Sequence, residues 1–353
     1  MNIEETIIPW TSITEKEPTV SMDFSVNTNP LGVPDMVIRH LPQISGQLGD
    51  YPDPDCKVLS KHLAKKYQIQ PNQVYCGNGA DDLLYRLIFA VKPKTALIIE
   101  PTFEEYARAL RTVDCKVLHY PLDGSAGFTL NEKIFSAIND NLDMLFLCNP
   151  NNPTGSLIDR HFLIKIAEKC REHNVLLVVD ECFMEFVPDW KEYSAKSLIT
   201  HFNNLIIIDA FTKTFSLAGF RLGFCISGNT TLLSAMKMQG PDFHVSVPAQ
   251  FAGICALTDD TYMEHTYSLL ETERVWLLSQ FQSLHIKAWP SAGNYLLCKG
   301  LQDNIHSRLL KKGIKVRDCS KFYGLDSTYF RIAVKTHSEN EKFINALRNI
   351  VLL

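Results

Sequence analysis

Six short apolar runs recur between residues 96 and 227: ALIIE (96–100), CKVLHY (115–120), MLFLC (144–148), NVLLVVD (174–180), NLIIID (204–209) and LGFCIS (222–227). A strand with one wet face alternates apolar and polar residues, and most of these runs do not alternate. Both of their faces must be covered, which is the condition of strands in a mostly parallel sheet clad by helices. The stretch 159–173, DRHFLIKIAEKCREH, has helical spacing in Phe162, Ile164, Ile166 and Ala167 and ends in basic residues. Strands alternating with such stretches predict an α/β fold.

The last hundred residues have another rhythm. A long charged helix is predicted over 259–284, followed by short strands around IKAWP, NYLLCKG, IKVRD and YFRIAVK and a final helix, SENEKFINALRNIVL. This pattern predicts a smaller α+β domain after a boundary near residue 245. The organisation expected is an N-terminal arm and small-domain segment at 1–45, a large domain at 46–245 and a C-terminal small domain at 246–353. No internal repeat or low-complexity segment interrupts it.

At 353 residues, 46% hydrophobic and 21% charged, the chain has the make-up of a globular protein with a large core. A net charge of −4 gives no footprint for nucleic acid or an anionic membrane surface. The ten cysteines form no C-x-x-C pair and no metal-type cluster with histidine, and they read as reduced thiols. The first residues are acidic where a secretory signal is basic, and no apolar run reaches the roughly 20 residues of a membrane span. A cytoplasmic protein is expected.

Polar residues that could carry chemistry follow the apolar runs. Asn149-Pro150-Asn151-Asn152-Pro153-Thr154-Gly155 comes directly after MLFLC. The carboxyl end of a strand in an open α/β sheet is where ligands bind, although the same residues also suit a plain turn. Asp180 ends NVLLVVD, where a carboxylate either meets a partner or caps a helix. Lys213 follows NLIIID, with Arg221 eight residues on. A lysine in a desolvated site beside other cations has the lowered pKa that a nucleophile toward carbonyls needs. Cys76-Gly77-Asn78-Gly79-Ala80-Asp81-Asp82 precedes another helical run. Glycines at a helix start can leave backbone N–H groups for a phosphate, but this one lacks the third glycine of a dinucleotide fingerprint.

Phosphate turn, amide turn, buried Asp, then Lys and Arg occur in one order. With DFSVNTNPLG (23–32), YPDP (51–54), PTFEEY (101–106), DECF (180–183), TKTFSLAGFRLGF (212–224) and VRDCSKFYGLDSTYFRIAV (316–334), the chain resembles the class I/II aminotransferases. These are fold-type I enzymes that use pyridoxal 5′-phosphate, and the resemblance is to the group holding histidinol-phosphate aminotransferase and threonine-phosphate decarboxylase. It covers nearly the whole chain and implies a large domain with a mostly parallel sheet beside a smaller C-terminal α+β domain. It also implies roles. Lys213 would bind the cofactor aldehyde covalently and move the proton at Cα or C4′, and Asp180 would pair with the ring nitrogen. Asn152 would donate to the ring O3′ and Tyr106 would stack on the ring. Arg221 and the N–H groups of Gly79, Ala80 and Asp81 would hold the cofactor phosphate, with Tyr51 arriving from the second subunit of a homodimer. Arg317, Arg331 and Asn29 would hold a substrate phosphate.

The two reactions of the group differ in which Cα bond stands perpendicular to the conjugated ring. Phe183 replaces a tyrosine common in the aminotransferases, and the C-terminal motif looks like the decarboxylase. Both favour decarboxylation of L-threonine O-3-phosphate to (R)-1-amino-2-propanol phosphate for the cobalamin nucleotide loop. Transamination of histidinol phosphate, in histidine biosynthesis, is the alternative, and Leu217-Ala218-Gly219 favours it, as does the absence of the decarboxylase's His-Gly-Gly near the start. Asp209 and Ala210 stand where the group commonly has an arginine and a hydroxyl, and Thr212 could supply the missing hydroxyl.

Overall fold

The computed structural model describes residues 20–259, 261–301 and 303–351, so most of the expected N-terminal arm before residue 22 lies outside them. The strands in chain order are β1 (Met22–Asp23), β2 (Val74–Gly77), β3 (Thr95–Glu100), β4 (Lys116–Pro121), β5 (Met144–Cys148), β6 (Leu176–Asp180), β7 (Leu205–Ala210), β8 (Gly223–Ser227), β9 (Lys287–Ala288), β10 (Tyr295–Lys299), β11 (Ile314–Lys315), β12 (Arg317–Asp318) and β13 (Tyr329–Ala333). Seven of them make the main sheet, in the order β2-β8-β7-β6-β5-β3-β4. Neighbours from β7 to β4 are parallel, and β8 runs antiparallel to both β2 and β7.

All six apolar runs are strands. β5, β7 and β8 are buried at every position, because apolar clusters cover both faces of the sheet: Leu145, Leu147, Val179 and Ile207 belong to one, and Met144, Phe146, Val178 and Ile206 to the other. The helix expected near 159–173 spans Arg160–Glu172. Its N-cap, Asp159, accepts from the Phe162 N–H at 2.9 Å, and Leu163, Ile166, Ala167 and Cys170 form its buried stripe. The short strand β2 has no counterpart in the sequence reading.

A second core forms around the four-stranded sheet β12-β13-β10-β9 and the pair β1-β11. Phe24 belongs to it, so the N-terminal segment crosses to this unit. The helix Val247–Ala256 packs Ala249, Ala252 and Ala256 on the first core, beyond residue 245. The change of core falls within the next helix, Tyr262–Ser283: Tyr262 belongs to the first cluster, while Leu270, Leu277 and Phe281 belong to the second. No helix among the described residues is long and apolar enough to cross a membrane.

Candidate active site

The carboxyl ends of β5, β6 and β7 open onto a cavity of about 680 Å³. Its lining includes Ala80, Asp81, Asn152, Asp180, Lys213, Arg221, Arg317 and Arg331. Residues far apart in sequence converge here because parallel strands bring all their outgoing turns to one edge of the sheet.

The NPNNPTG turn divides its labour among three asparagines. Asn149 accepts from the Ile158 N–H at 2.8 Å and donates to the Ile158 and Tyr193 carbonyls. Asn151 donates to the Pro101 carbonyl and accepts from the Thr102 hydroxyl, both at 2.8 Å. Both are structural ties. Asn152 reaches the cavity, and its Oδ1 accepts from Arg331 Nη1 at 2.5 Å, leaving its amide nitrogen free of that contact.

Asp180 is fixed by two donors. The Tyr106 hydroxyl donates to Oδ2 at 2.5 Å and the Cys182 N–H to Oδ1 at 3.0 Å. Burial, and then this carboxylate, hold the Tyr106 phenol far above its ordinary pKa. Tyr106 stacks on Phe146 with ring centroids 5.2 Å apart and is not among the residues lining the cavity. Of Tyr106 and Phe103, which lie 5.6 Å apart and edge-on, it is Phe103 that lines the cavity, with Phe183 and Phe322 elsewhere in the lining.

Lys213 lies in the single helical turn Phe211–Thr214 that follows β7. Burial brings its amine down to a pKa of about 8, and the neighbouring Arg331 adds repulsion. At the other side of the lining, Gly79 precedes the helix Ala80–Val91 at φ +88, and a Cβ there would sit 2.6 Å from Arg221 Nη2. Only glycine lets the guanidinium and the helix start approach so closely. Arg221 also pairs with Asp81 at 3.7 Å. Asp209, which faces away, has its own cation: Lys196 Nζ lies 2.7 Å from Asp209 and 2.8 Å from Glu181. The Ala210 methyl and Thr212 both line the cavity.

Arg317 and Arg331 are direct cross-strand partners on β12 and β13. Like charges in that relation repel unless an anion lies between them. Arg331 is buried, donates to the Ser25 carbonyl at 2.8 Å and has an Nε with no partner. Lys315, Arg317, Asp318, Lys321, Arg331 and Glu104 place four cations and two carboxylates in this part of the lining.

Two expected residues lie elsewhere. Asn29 is buried outside the cavity, donating to the Thr214 carbonyl and Thr266 hydroxyl at 2.9 and 2.8 Å, and its Oδ1 accepts from the Leu31 N–H. Both amide N–H groups are used, which leaves none to donate to a substrate phosphate. The residue that lines the cavity is Asn27, whose Nδ2 is buried without a partner. The Asn-Pro-Leu-Gly sequence was a signal for this, since asparagine before such a turn commonly bonds its own backbone two residues on. Tyr51 is 83% exposed and stacks near Phe243, away from its own cavity. No group of metal-binding side chains occurs among the described residues.

Comparison with known proteins matches residues 19–347 to the family described as aminotransferase class I and II. Threonine-phosphate decarboxylase of Salmonella typhimurium is 33% identical over 337 residues, covering 95% of this chain and 92% of the relative. Histidinol-phosphate aminotransferase of Methanosphaera stadtmanae is 31% identical, covering 92% of this chain and 89% of the relative. The crystal structure of histidinol-phosphate aminotransferase from Clostridium acetobutylicum superposes with a TM-score of 0.87 at 28% identity, over 94% of this chain and 99% of that one. With the strand order, the cavity at the strand ends and this breadth of match in agreement, the chain belongs to the class I and II aminotransferase family, with the α/β fold of the fold-type I enzymes.

Proposed function

We propose that this protein is a pyridoxal 5′-phosphate enzyme that acts on a small phosphorylated amino acid and decarboxylates L-threonine O-3-phosphate. The observation that carries this reading is a single cavity with two anion-binding regions: Arg221 with the helix start after Gly79, and the opposed pair Arg317 and Arg331.

The residues present fit the cofactor. The space a Cβ would fill at Gly79 leaves the helix N–H groups and Arg221 open to a phosphate. Asp180 keeps acceptor capacity beyond its two donors for a protonated ring nitrogen. Lys213 is in part neutral near pH 8, as an amine that captures an aldehyde must be. Asn152 would donate its amide N–H to the ring O3′, Phe103 would cover one ring face and Thr212 would offer a hydroxyl to the phosphate. Tyr51 of a second subunit would reach the same phosphate, making a homodimer the working unit.

The cofactor supplies a conjugated ring that accepts the electron pair left when a bond at Cα breaks. The protein's part is orientation and proton transfer. Arg331, held by Asn152 and the Ser25 carbonyl, would grip the substrate carboxylate, and Arg317 with Asn27 would take the phosphate. Lys213 would return a proton to Cα in place of the departing CO2. Phe183 lines the cavity with no hydroxyl, and together with the Salmonella relative this supports decarboxylation. Leu217-Ala218-Gly219 and the Methanosphaera relative support the second reading, transamination of histidinol phosphate.

Purified protein should be yellow, and borohydride should fix the chromophore on Lys213. CO2 released from threonine phosphate without a 2-oxo acid identifies decarboxylation, and a requirement for 2-oxoglutarate with histidinol phosphate identifies transamination. A colourless protein that takes up no pyridoxal phosphate refutes the proposal.

A further inference from the structure

The substrate-phosphate region proposed above, on which this inference rests, is not lined by cations alone. Glu104 lies across from Arg317, with Oε1 and Nη2 3.5 Å apart and the side chains 41% and 44% exposed. Both line the cavity, yet they belong to different units: Glu104 directly precedes the helix Glu105–Arg111 that packs on the main sheet, and Arg317 lies on β12. Arg317 does not need the carboxylate to hold it in place. Its guanidinium already sits 5.5 Å from the Phe322 ring, on a strand paired with β13. A carboxylate beside the most accessible guanidinium of an anion site opposes the ligand that the site would take.

We propose that Glu104 is an internal counter-ion that competes with the ligand's phosphate for Arg317, and is thereby a specificity-determining residue. An anion that binds through phosphate alone must displace Glu104 unaided. A phosphorylated amino acid gripped at its other end presents its phosphate at high effective concentration and displaces the carboxylate readily. Glu104 weakens the binding of both by the same factor, so free phosphate falls below its binding range while a ligand gripped at both ends still fills the site. A partly exposed ion pair is worth a factor of about 1.5–5 in affinity. Repulsion between Glu104 and a phosphate dianion adds to this, so removing the carboxylate should strengthen phosphate binding roughly three- to tenfold.

The test is calorimetric titration of inorganic phosphate into protein loaded with pyridoxal phosphate, for the natural protein, Glu104→Gln and Arg317→Ala. Binding of L-threonine, which lacks the phosphate, is followed by the cofactor's absorbance. The expected result is phosphate binding raised in Glu104→Gln, lost in Arg317→Ala, and threonine binding changed less than twofold by Glu104→Gln. Phosphate affinity that is unchanged or weakened in Glu104→Gln overturns the proposal, as does an equal gain for threonine. Phosphate affinity unaffected by Arg317→Ala would instead refute the anion site itself.

Discussion

Replacing Lys196 by methionine isolates the buried charges beneath the cavity. Lys196 is 2% exposed and lies between Asp209 and Glu181, and a third carboxylate, Glu185, pairs with Lys66 at 2.6 Å. Burial opposes the charge on Lys196, but Asp209, Glu181 and Glu185 outweigh it and keep the amine protonated. Three carboxylates share two lysines, so one of them gives way. Burial, with Glu185 and Glu181 nearby, pushes Asp209 up to about 7 despite Lys196. In the variant Glu181 keeps the Ser194 hydroxyl and the Ala195 N–H, both at 2.6 Å, while Asp209 keeps only the adjacent Ala210 N–H at 2.7 Å. The loss therefore falls on Asp209. Removing one member of a buried pair costs about 3–5 kcal/mol, and that is the deficit expected at pH 8 in urea unfolding at fixed protein concentration. The sign with pH follows from linkage. Asp209 has a folded pKa near 7 against an ordinary 3.8, so the native state binds an extra proton between those values and its stability falls as pH rises through that window. In Lys196→Met the carboxyl is neutral up to still higher pH. The deficit should narrow by about 1 kcal/mol from pH 8 to 7, by about 1.4 kcal/mol in all, and hold constant below about pH 6, where both proteins change in parallel. Adding Asp209→Asn should recover at least half of the loss. A deficit under about 1 kcal/mol, or no recovery in the double variant, refutes the reasoning.

Three further outcomes are expected. In cofactor-free protein, Lys213 should react with an amine-directed reagent with a midpoint near pH 8, set by burial and by Arg331; Arg331→Gln should move the midpoint upward, read by mass-spectrometric labelling. Gly79→Ala should weaken pyridoxal-phosphate binding by about tenfold, roughly 1.4 kcal/mol, because its Cβ would meet Arg221 at 2.6 Å from a backbone at φ +88; fluorescence titration of the cofactor measures it. Asn27→Ala should lower kcat/KM by about tenfold with little change in unfolding midpoint. Asn29→Ala, which removes the donor to the buried Thr214 carbonyl and one partner of the Thr266 hydroxyl, should cost about 2–3 kcal/mol of stability. Equal stability losses in the two variants would refute the assignment of Asn27 to the ligand.

The main sheet was legible because strands buried on both faces are written as unbroken apolar runs, and β5, β6 and β7 end on the polar residues that meet in the cavity. β2 escaped notice since VYCG is too short and mixed to stand out. Asn152, Asp180, Lys213 and Arg221 were found by their positions after strands or strand-adjacent turns. That Phe103 and Asn27, rather than Tyr106 and Asn29, line the cavity was not legible because it depends on which way each side chain points. Lys196 carries no sequence signal at all: it is one lysine in a short 3-10 segment, and its partners lie 13 and 15 residues away along the chain, on or just after neighbouring strands. The change of core inside the Tyr262–Ser283 helix was hidden because one continuous helical pattern spans it.

The opposition of Arg317 and Arg331 across β12 and β13 reaches beyond recognition. Glu104 offsets only part of the repulsion between them, so a ligand that neutralises both guanidinium groups should also stitch the two strands together. Amide protons between residues 317 and 331 should then exchange with deuterium more slowly as the cavity fills, making the rigidity of this corner a direct gauge of occupancy.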